Sequence, residues 1–173
     1  MGTSSQDDRY RDAAAEFGAA LERLARAYEA DPDRRRDLLQ EIHLALWRSF
    51  GGFDDRCSLR TWVYRVAHNT AASYVIRRRR SRDGQWVGLD QVEETLGRDE
   101  SPAIDRRERL GRLLTLIQRL APLDRQVILA YLEGMDAAAI GEITGLSAGN
   151  VATKVHRIKN VLARGFAQGG CHA

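Results

Sequence analysis

Apolar residues recur every three or four positions along most of the chain. Tyr10, Ala14, Phe17, Leu21, Leu24 and Tyr28 predict an amphipathic helix over 10–30. Asp31-Pro32-Asp33 interrupts it, and proline suits the start of a second helix. That helix runs to about Phe50, with Leu38, Leu39, Ile42, Leu46 and Trp47 on its apolar side. Gly51-Gly52-Phe53-Asp54-Asp55 reads as a loop. Ser58 is placed to cap a third helix, 59–80, with Leu59, Val63, Val66, Thr70 and Tyr74 along one stripe. From Ser81 to Pro102 the periodicity fades, and Gly84, Gly88 and Gly97 mix with acids. This stretch reads as a linker with a short helical turn near 89–96. Periodicity returns through Ile104, Leu110, Leu113, Leu114, Ile117 and Leu120, followed by helical segments at 122–133, 136–144 and 147–165. The expectation is an all-α fold of two small helical domains, 1–80 and 104–167. An acidic linker, 81–103, joins them, and a frayed tail, 168–173, follows.

The sharpest local signal lies near the C-terminus. Ala137 to Ser147 reads as helix, glycine turn and serine N-cap, with Gly145 suited to the left-handed conformation of a tight interhelical turn. Ile140, Ile143 and Leu146 are expected to pack against Val151, Val155, Ile158 and Leu162. Thr153, His156, Arg157, Asn160 and Arg164 fall on the opposite side, flanked by Lys154 and Lys159. This is the helix-turn-helix arrangement, whose second helix enters a major groove. Arg and Lys supply charge and reach guanine edges, while Thr and Asn make shorter hydrogen bonds. The same pattern also fits a helical hairpin with a merely basic surface, and His156 fits a neutral surface position as well as a base contact.

Charge sharpens the picture more than the total of +3 suggests. Residues 56–82 carry Arg56, Arg60, Arg65, Arg77, Arg78, Arg79, Arg80 and Arg82 and no acid. Residues 147–164 carry Lys154, Arg157, Lys159 and Arg164, again with no acid. Between them, residues 83–108 have a net charge of −5. Two basic stretches separated by an acidic one suggest two polyanion contacts, although solvated helix faces have the same composition. In the first stretch the arginines and Asn69 alternate with Trp62, Tyr64 and Tyr74, and Phe53 precedes them. Bases stack on aromatic rings while arginines hold the backbone, as single strands require. The loop 51–57 is placed to form one wall of a pocket for an unpaired base. Trp62 and Tyr74 suit core positions equally well.

Two blocks carry a family resemblance. Asp37-Leu38-Leu39-Gln40-Glu41, Trp47, Phe53 and Ser58-Leu59-Arg60-Thr61-Trp62-Val63-Tyr64-Arg65-Val66-Ala67 with Asn69 resemble the second conserved domain of bacterial RNA polymerase sigma factors. The likeness is to the extracytoplasmic-function (ECF) type. Leu120-Ala121-Pro122-Leu123-Asp124-Arg125-Gln126, Leu132-Glu133-Gly134-Met135, Ile140, Gly145-Leu146-Ser147, Asn150-Val151 and Lys154-Val155-His156-Arg157 resemble the fourth. The two blocks span roughly residues 10–80 and 105–166.

The resemblance implies a dissociable specificity subunit with no chemistry of its own, acting in transcription initiation. Asp37, Leu38, Gln40 and Glu41 would dock on the coiled coil of the largest subunit of core RNA polymerase. Phe53, Arg60, Trp62, Arg65, Asn69 and Arg77 would recognise and open the minus-ten element, meeting promoter DNA as single strand. Asn150, Thr153, Lys154, His156 and Arg157 would read the minus-thirty-five element as duplex. The acidic linker would lie in a basic channel of the polymerase, and an anti-sigma factor would hold the two domains when transcription is off. Ala152 stands where many members have Lys or Arg, which shifts weight to Thr153, Lys154 and Arg157.

Other classes fit less well. The alternative is a helix-turn-helix regulator with an N-terminal dimerisation or ligand domain, and beyond it an interaction protein that never meets DNA. No GxxxxGK[ST], HExxH or nucleophile–histidine pairing is present, so no catalytic residue, metal or cofactor is expected. Cys57 and Cys171 lack disulfide or zinc spacing, and Cys57 is expected to be an inert thiol before a helix start. No secretory signal or eighteen-residue apolar run appears, which predicts a cytoplasmic protein without membrane insertion.

Overall fold

Local capping chemistry sets the helix starts. In the computed structural model, which describes residues 5–80 and 106–167, Ser5 and Asp8 form a reciprocal capping box at the head of α1 (Gln6–Tyr28). Asp31 caps α2 (Pro32–Ser49) by accepting from the backbone N–H groups of Asp33 and Arg34, with Pro32 in the first turn. A single 3₁₀ turn, Phe50–Gly52, leads to the loop before α3 (Leu59–Arg80). Ser58 accepts from the Thr61 N–H at 3.1 Å, the expected cap. The C-terminal half holds α4 (Arg106–Arg119), α5 (Pro122–Leu132), α6 (Ala137–Thr144) and α7 (Ala148–Ala167). Every regular element among the described residues is helical. The expected turn at 89–96 and the tail 168–173 lie outside them.

The helix-turn-helix forms as its residues dictate. Asp136 caps α6 through the Ala139 N–H, and Ser147 caps α7 through the Asn150 N–H. Gly145 adopts φ 78°, the left-handed turn conformation, and its N–H donates to the Gly141 carbonyl at 2.8 Å. Gly141 has a separate reason to be glycine: a Cβ there would stand 2.6 Å from the Leu146 carbonyl oxygen.

Burial follows the apolar periodicity on α1 and α2, where Phe17, Leu21, Leu24, Leu38, Ile42 and Leu46 are core residues. On α3 the expected stripe is incomplete. Val63 and Tyr74 are buried, but so are Thr61, Tyr64, Ala67, His68 and Ala71, while Leu59, Val66 and Thr70 are only half-buried. The helix is covered on two sides, by α1 and α2 and by α5 and α6. A two-sided burial pattern has no single amphipathic stripe to read. Likewise Ile158 and Leu162 of α7 do not join Ile140 and Ile143. They pack with Leu116, Ile117, Leu120 and Ile128 of α4 and α5, and with Ala27 of α1.

The two halves are therefore not isolated. A continuous apolar cluster runs from Ala13, Leu24, Leu38 and Tyr64 to Val127, Ile140 and Val151. Polar ties cross the same boundary. Arg125 of α5, only 1% exposed, donates to the carbonyl oxygens of Tyr28, Gln118 and Leu120. These acceptors lie at the C-terminal ends of α1 and α4, where unpaired carbonyls concentrate negative charge. Its guanidinium carbon also lies 5.2 Å from the centroid of the Tyr28 ring. Burial pulls the Arg125 pKa down to about 10, which leaves it charged at neutral pH.

His68 lies in the same core, fully buried, with Nδ1 3.1 Å from the Tyr28 hydroxyl. Burial drives its pKa down to about 3, so the folded protein holds it neutral. An unfolded histidine titrates near pH 6.5, so acid protonates the unfolded state first. The resulting stability is complete above about pH 6.5 and is lost progressively as pH falls toward about 3. Denaturant titrations of the wild type should show a loss of about 2 kcal/mol between about pH 7 and pH 5 from this group. His68→Gln, which cannot titrate, should lack that component. In thermal or denaturant unfolding, Gly141→Ala should destabilise by about 1–3 kcal/mol. Gly149→Ala, which meets nothing within 4 Å, should be neutral or stabilising by about 0.5–1 kcal/mol.

Candidate nucleic-acid and polymerase interfaces

A helix advances about 100° per residue, which places Trp62, Arg65 and Asn69 on one narrow face of α3. Asn69 is exposed, and Arg65 and Trp62 are half-buried. The loop before α3 closes over the upper end of that face. Phe53 packs at 5.1 Å against the Trp62 ring and edge-on to Phe50, and Trp62 Nε1 donates to Ser49 Oγ at 3.0 Å. Phe53 and Trp62 are thus members of a small aromatic cluster that supports the loop, with part of each ring accessible. The loop is held from outside by Arg9, a residue that sequence reading did not single out. Arg9 donates to the Phe53 carbonyl at 2.8 Å, pairs with Asp55 and lies over the Phe53 ring at 5.4 Å. Asp55 has φ 59°, a conformation that Asp tolerates better than most residues.

The other two predicted members of this group lie elsewhere. Arg60 is on the opposite face of α3 from Trp62 and Arg65 and donates to the Glu133 carbonyl at the end of α5. Arg77 is exposed near the end of α3 and pairs with Glu41 of α2 at 2.7 Å. The structure therefore groups Phe53, Trp62, Arg65 and Asn69, and separates Arg60 and Arg77 from them.

On α2, Asp37, Gln40 and Glu41 are exposed along one stripe. Leu44 and Trp47 continue it, 46% and 40% exposed. Trp47 was expected on the apolar side. Instead its indole edge leans outward and Nε1 donates to Asp7 at 2.7 Å. Leu38 requires a correction: it is fully buried, so its side chain belongs to the core and offers nothing to a partner. The mixed acidic and apolar stripe around it is what faces outward.

On α7, Asn150, Thr153, His156, Arg157, Lys159, Asn160 and Arg164 are all exposed, opposite the buried Val151, Val155 and Ile158. Thr153 Oγ1 donates to the Gly149 carbonyl, and His156 pairs with Asn160 at 3.0 Å. Among the described residues, no ion pair engages Arg157. Lys154 differs from its neighbours. It is half-buried and pairs with Asp124 of α5 at 2.6 Å, so it ties the recognition helix to its support. Lys159 sits against Tyr131, 5.2 Å from the ring centroid.

The strongest polar node was not foreseen. Arg23 of α1 grips Glu133 with two hydrogen bonds of 2.8 Å, Nε to Oε1 and Nη2 to Oε2. The Tyr64 hydroxyl donates to the same carboxylate at 3.1 Å. These contacts hold the Glu133 carboxyl below the usual carboxylate range, with Arg23 the leading cause. Burial, reinforced by the Glu133 charge, pushes Tyr64 up to about 12. Arg23, the Arg60–Tyr64 turn and Glu133 are far apart in the chain, so no local spacing announces the node. Among the described residues, no group of three or more His, Cys, Asp or Glu could hold a metal ion. No described helix is long and apolar enough to cross a membrane.

Comparison with known proteins bears on these surfaces. The family description "Sigma-70 region 2" matches residues 14–81, and "Sigma-70, region 4" matches residues 110–162, together most of the chain. The ECF RNA polymerase sigma factor SigG of Mycobacterium tuberculosis is 46% identical over 44 residues, which is 25% of this chain and 12% of that protein. The chain thus spans only a small part of the length of this relative. The RNA polymerase sigma-H factor of Pseudomonas aeruginosa is 27% identical over 140 residues, 76% of this chain and 72% of that one. Among solved structures, the fold resembles RpoE of Bartonella quintana, crystallised with the anti-sigma factor NepR. The TM-score is 0.67 and the identity 19%, covering 91% of this chain and 96% of that one. It also resembles CnrH in complex with the cytosolic domain of CnrY, with a TM-score of 0.63, 21% identity and 89% and 84% coverage. With regions 2 and 4 in order on one all-helical fold, the chain belongs to the sigma-70 family.

Proposed function

We propose that this chain binds core RNA polymerase and directs it to promoters, with residues 1–80 and 104–167 acting as two recognition units joined by 81–103. One observation carries the reading. Two polar faces, half-buried Arg65 with exposed Asn69 on α3 and the exposed face from Asn150 to Arg157 on α7, belong to separate halves matched to regions 2 and 4. The α7 face suits a major groove, where Arg157 reaches base edges and the first turn presents backbone N–H groups to phosphate. The α3 face and the Arg9-braced loop suit unpaired bases, which stack on the accessible parts of Phe53 and Trp62 at about 1–3 kcal/mol each. Capture of such bases drives opening without any chemical step. The α2 stripe of Asp37, Gln40, Glu41, Leu44 and Trp47 supplies an acidic and apolar surface for a basic partner, which we assign to the largest polymerase subunit. An anti-sigma factor is the natural regulator, since the similar RpoE of Bartonella quintana was crystallised with one.

Reconstitution with core polymerase on genomic DNA should yield discrete transcript starts that neither component gives alone. Starts unchanged from core polymerase would sink the reading. Variants should then separate the steps. Arg157→Ala should weaken binding of upstream duplex by about tenfold, read by electrophoretic shift of the holoenzyme. Arg65→Ala and Asn69→Ala should leave that binding intact and reduce permanganate reactivity of the opened strand. Asp37→Arg should weaken association with core polymerase while leaving the unfolding midpoint unchanged.

A further inference from the structure

In the packed arrangement, Glu133 is an anion in a built cradle. Arg23 presents its guanidinium fork to both carboxylate oxygens at 2.8 Å, and Tyr64 adds a third donor at 3.1 Å. Arg60 donates to the backbone carbonyl of the same residue and lies 5.8 Å from the Tyr64 ring centroid. Three donor residues thus converge from two helices, α1 and α3, of the N-terminal half. Among the described residues, the acidic group in their grip comes from the C-terminal half. A planar guanidinium fork that matches a carboxylate also matches two oxygens of a phosphodiester. Glu133 is 23% exposed at its side chain and Arg23 is 60% exposed, so the cradle opens to the surface at its Arg23 end, while Tyr64 is buried at its floor. The opposite face of α3 holds Trp62, Arg65 and Asn69.

We infer that Arg23, Arg60 and Tyr64 form a binding site for a phosphate of the DNA backbone, and that Glu133 fills it when the two halves are packed together. The inference rests on the proposed DNA-binding function and deepens it. The C-terminal half then competes with nucleic acid for the N-terminal half. Undocking removes the internal anion and exposes the cradle. Any event that draws α5 away from α1 and α3, such as engagement of the polymerase, frees this phosphate contact.

Two substitutions break the same ion pair but differ in what they leave behind. Glu133→Gln removes the competing charge and keeps the cradle. Arg23→Gln removes the cradle's fork. The full chain, without polymerase, is titrated against labelled oligothymidylate, and the affinity is followed as a function of salt. Glu133→Gln should bind about tenfold more tightly than wild type, and its log–log salt slope should steepen by about 0.7, one phosphate of a single strand. Arg23→Gln should bind no more tightly than wild type, and adding it to Glu133→Gln should return affinity and slope to wild-type values. Equal gains in the two single variants would mean that separation alone, and no phosphate site, explains the effect, and would overturn the inference. No gain in Glu133→Gln would overturn it as well. A flat salt response in every form, wild type included, would instead count against DNA binding itself.

Discussion

A single guanidinium holds the architecture together. Arg125 is buried between the two halves of the chain. It is satisfied by main-chain oxygens at the ends of two helices, Tyr28 of α1 and Gln118 with Leu120 near the end of α4. Helix ends carry orphan carbonyls, and a buried cation placed among them answers two needs at once. The acceptors come from both halves of the chain, so the guanidinium links them. Packing of Ala27 against Leu116, Ile117 and Leu120 reinforces the same junction with apolar surface.

This junction shapes what α3 can do. The helix is a core element on one side and an interface on another. Thr61, Tyr64, His68 and Ala71 are sealed, while Arg65 and Asn69 remain toward solvent. Its N-terminal half also meets the α5–α6 turn, where Arg60 and Tyr64 engage Glu133. The chain thereby pairs two opposed requirements. A rigid, packed helix holds Arg65 and Asn69 in fixed geometry, whereas the contact with the neighbouring half at Glu133 is polar and partly open to water. The Glu133 node has the second character. It is a partly exposed ion pair with modest intrinsic strength, in contrast to the buried Arg125 site.

Much of the fold was legible in the residues. The boundaries of α3, the proline start of α2, the Ser58 and Ser147 caps and the left-handed Gly145 are all local features, decided by backbone chemistry within a few residues. The exposed polar face of α7 followed from simple helical periodicity, because one side of that helix is buried and the other is not. The reading failed where burial was two-sided or where a residue's partner lay far along the chain. Leu38 was assigned to docking with its whole motif, although the periodicity of α2 already put it on the apolar side, where it is core. Lys154 looked like a free cation until Asp124, thirty residues earlier, met it. Arg60 shares a motif with Arg65 but points the other way, since five residues along a helix reverse the direction by more than a right angle.

The sequence by itself determined the helices, their caps, the helix-turn-helix and the two basic stretches, because each depends on residues within a turn or two of one another. Tertiary structure alone decided which charges are spoken for. Arg23, Arg60, Arg77, Arg125 and Lys154 are all cations in the chain, yet each has a different role once its partner is known. The physical reason is range. Helix formation is governed by short-range sterics and hydrogen bonds, whereas the fate of a charge depends on which distant groups the packed chain brings within a few ångströms of it.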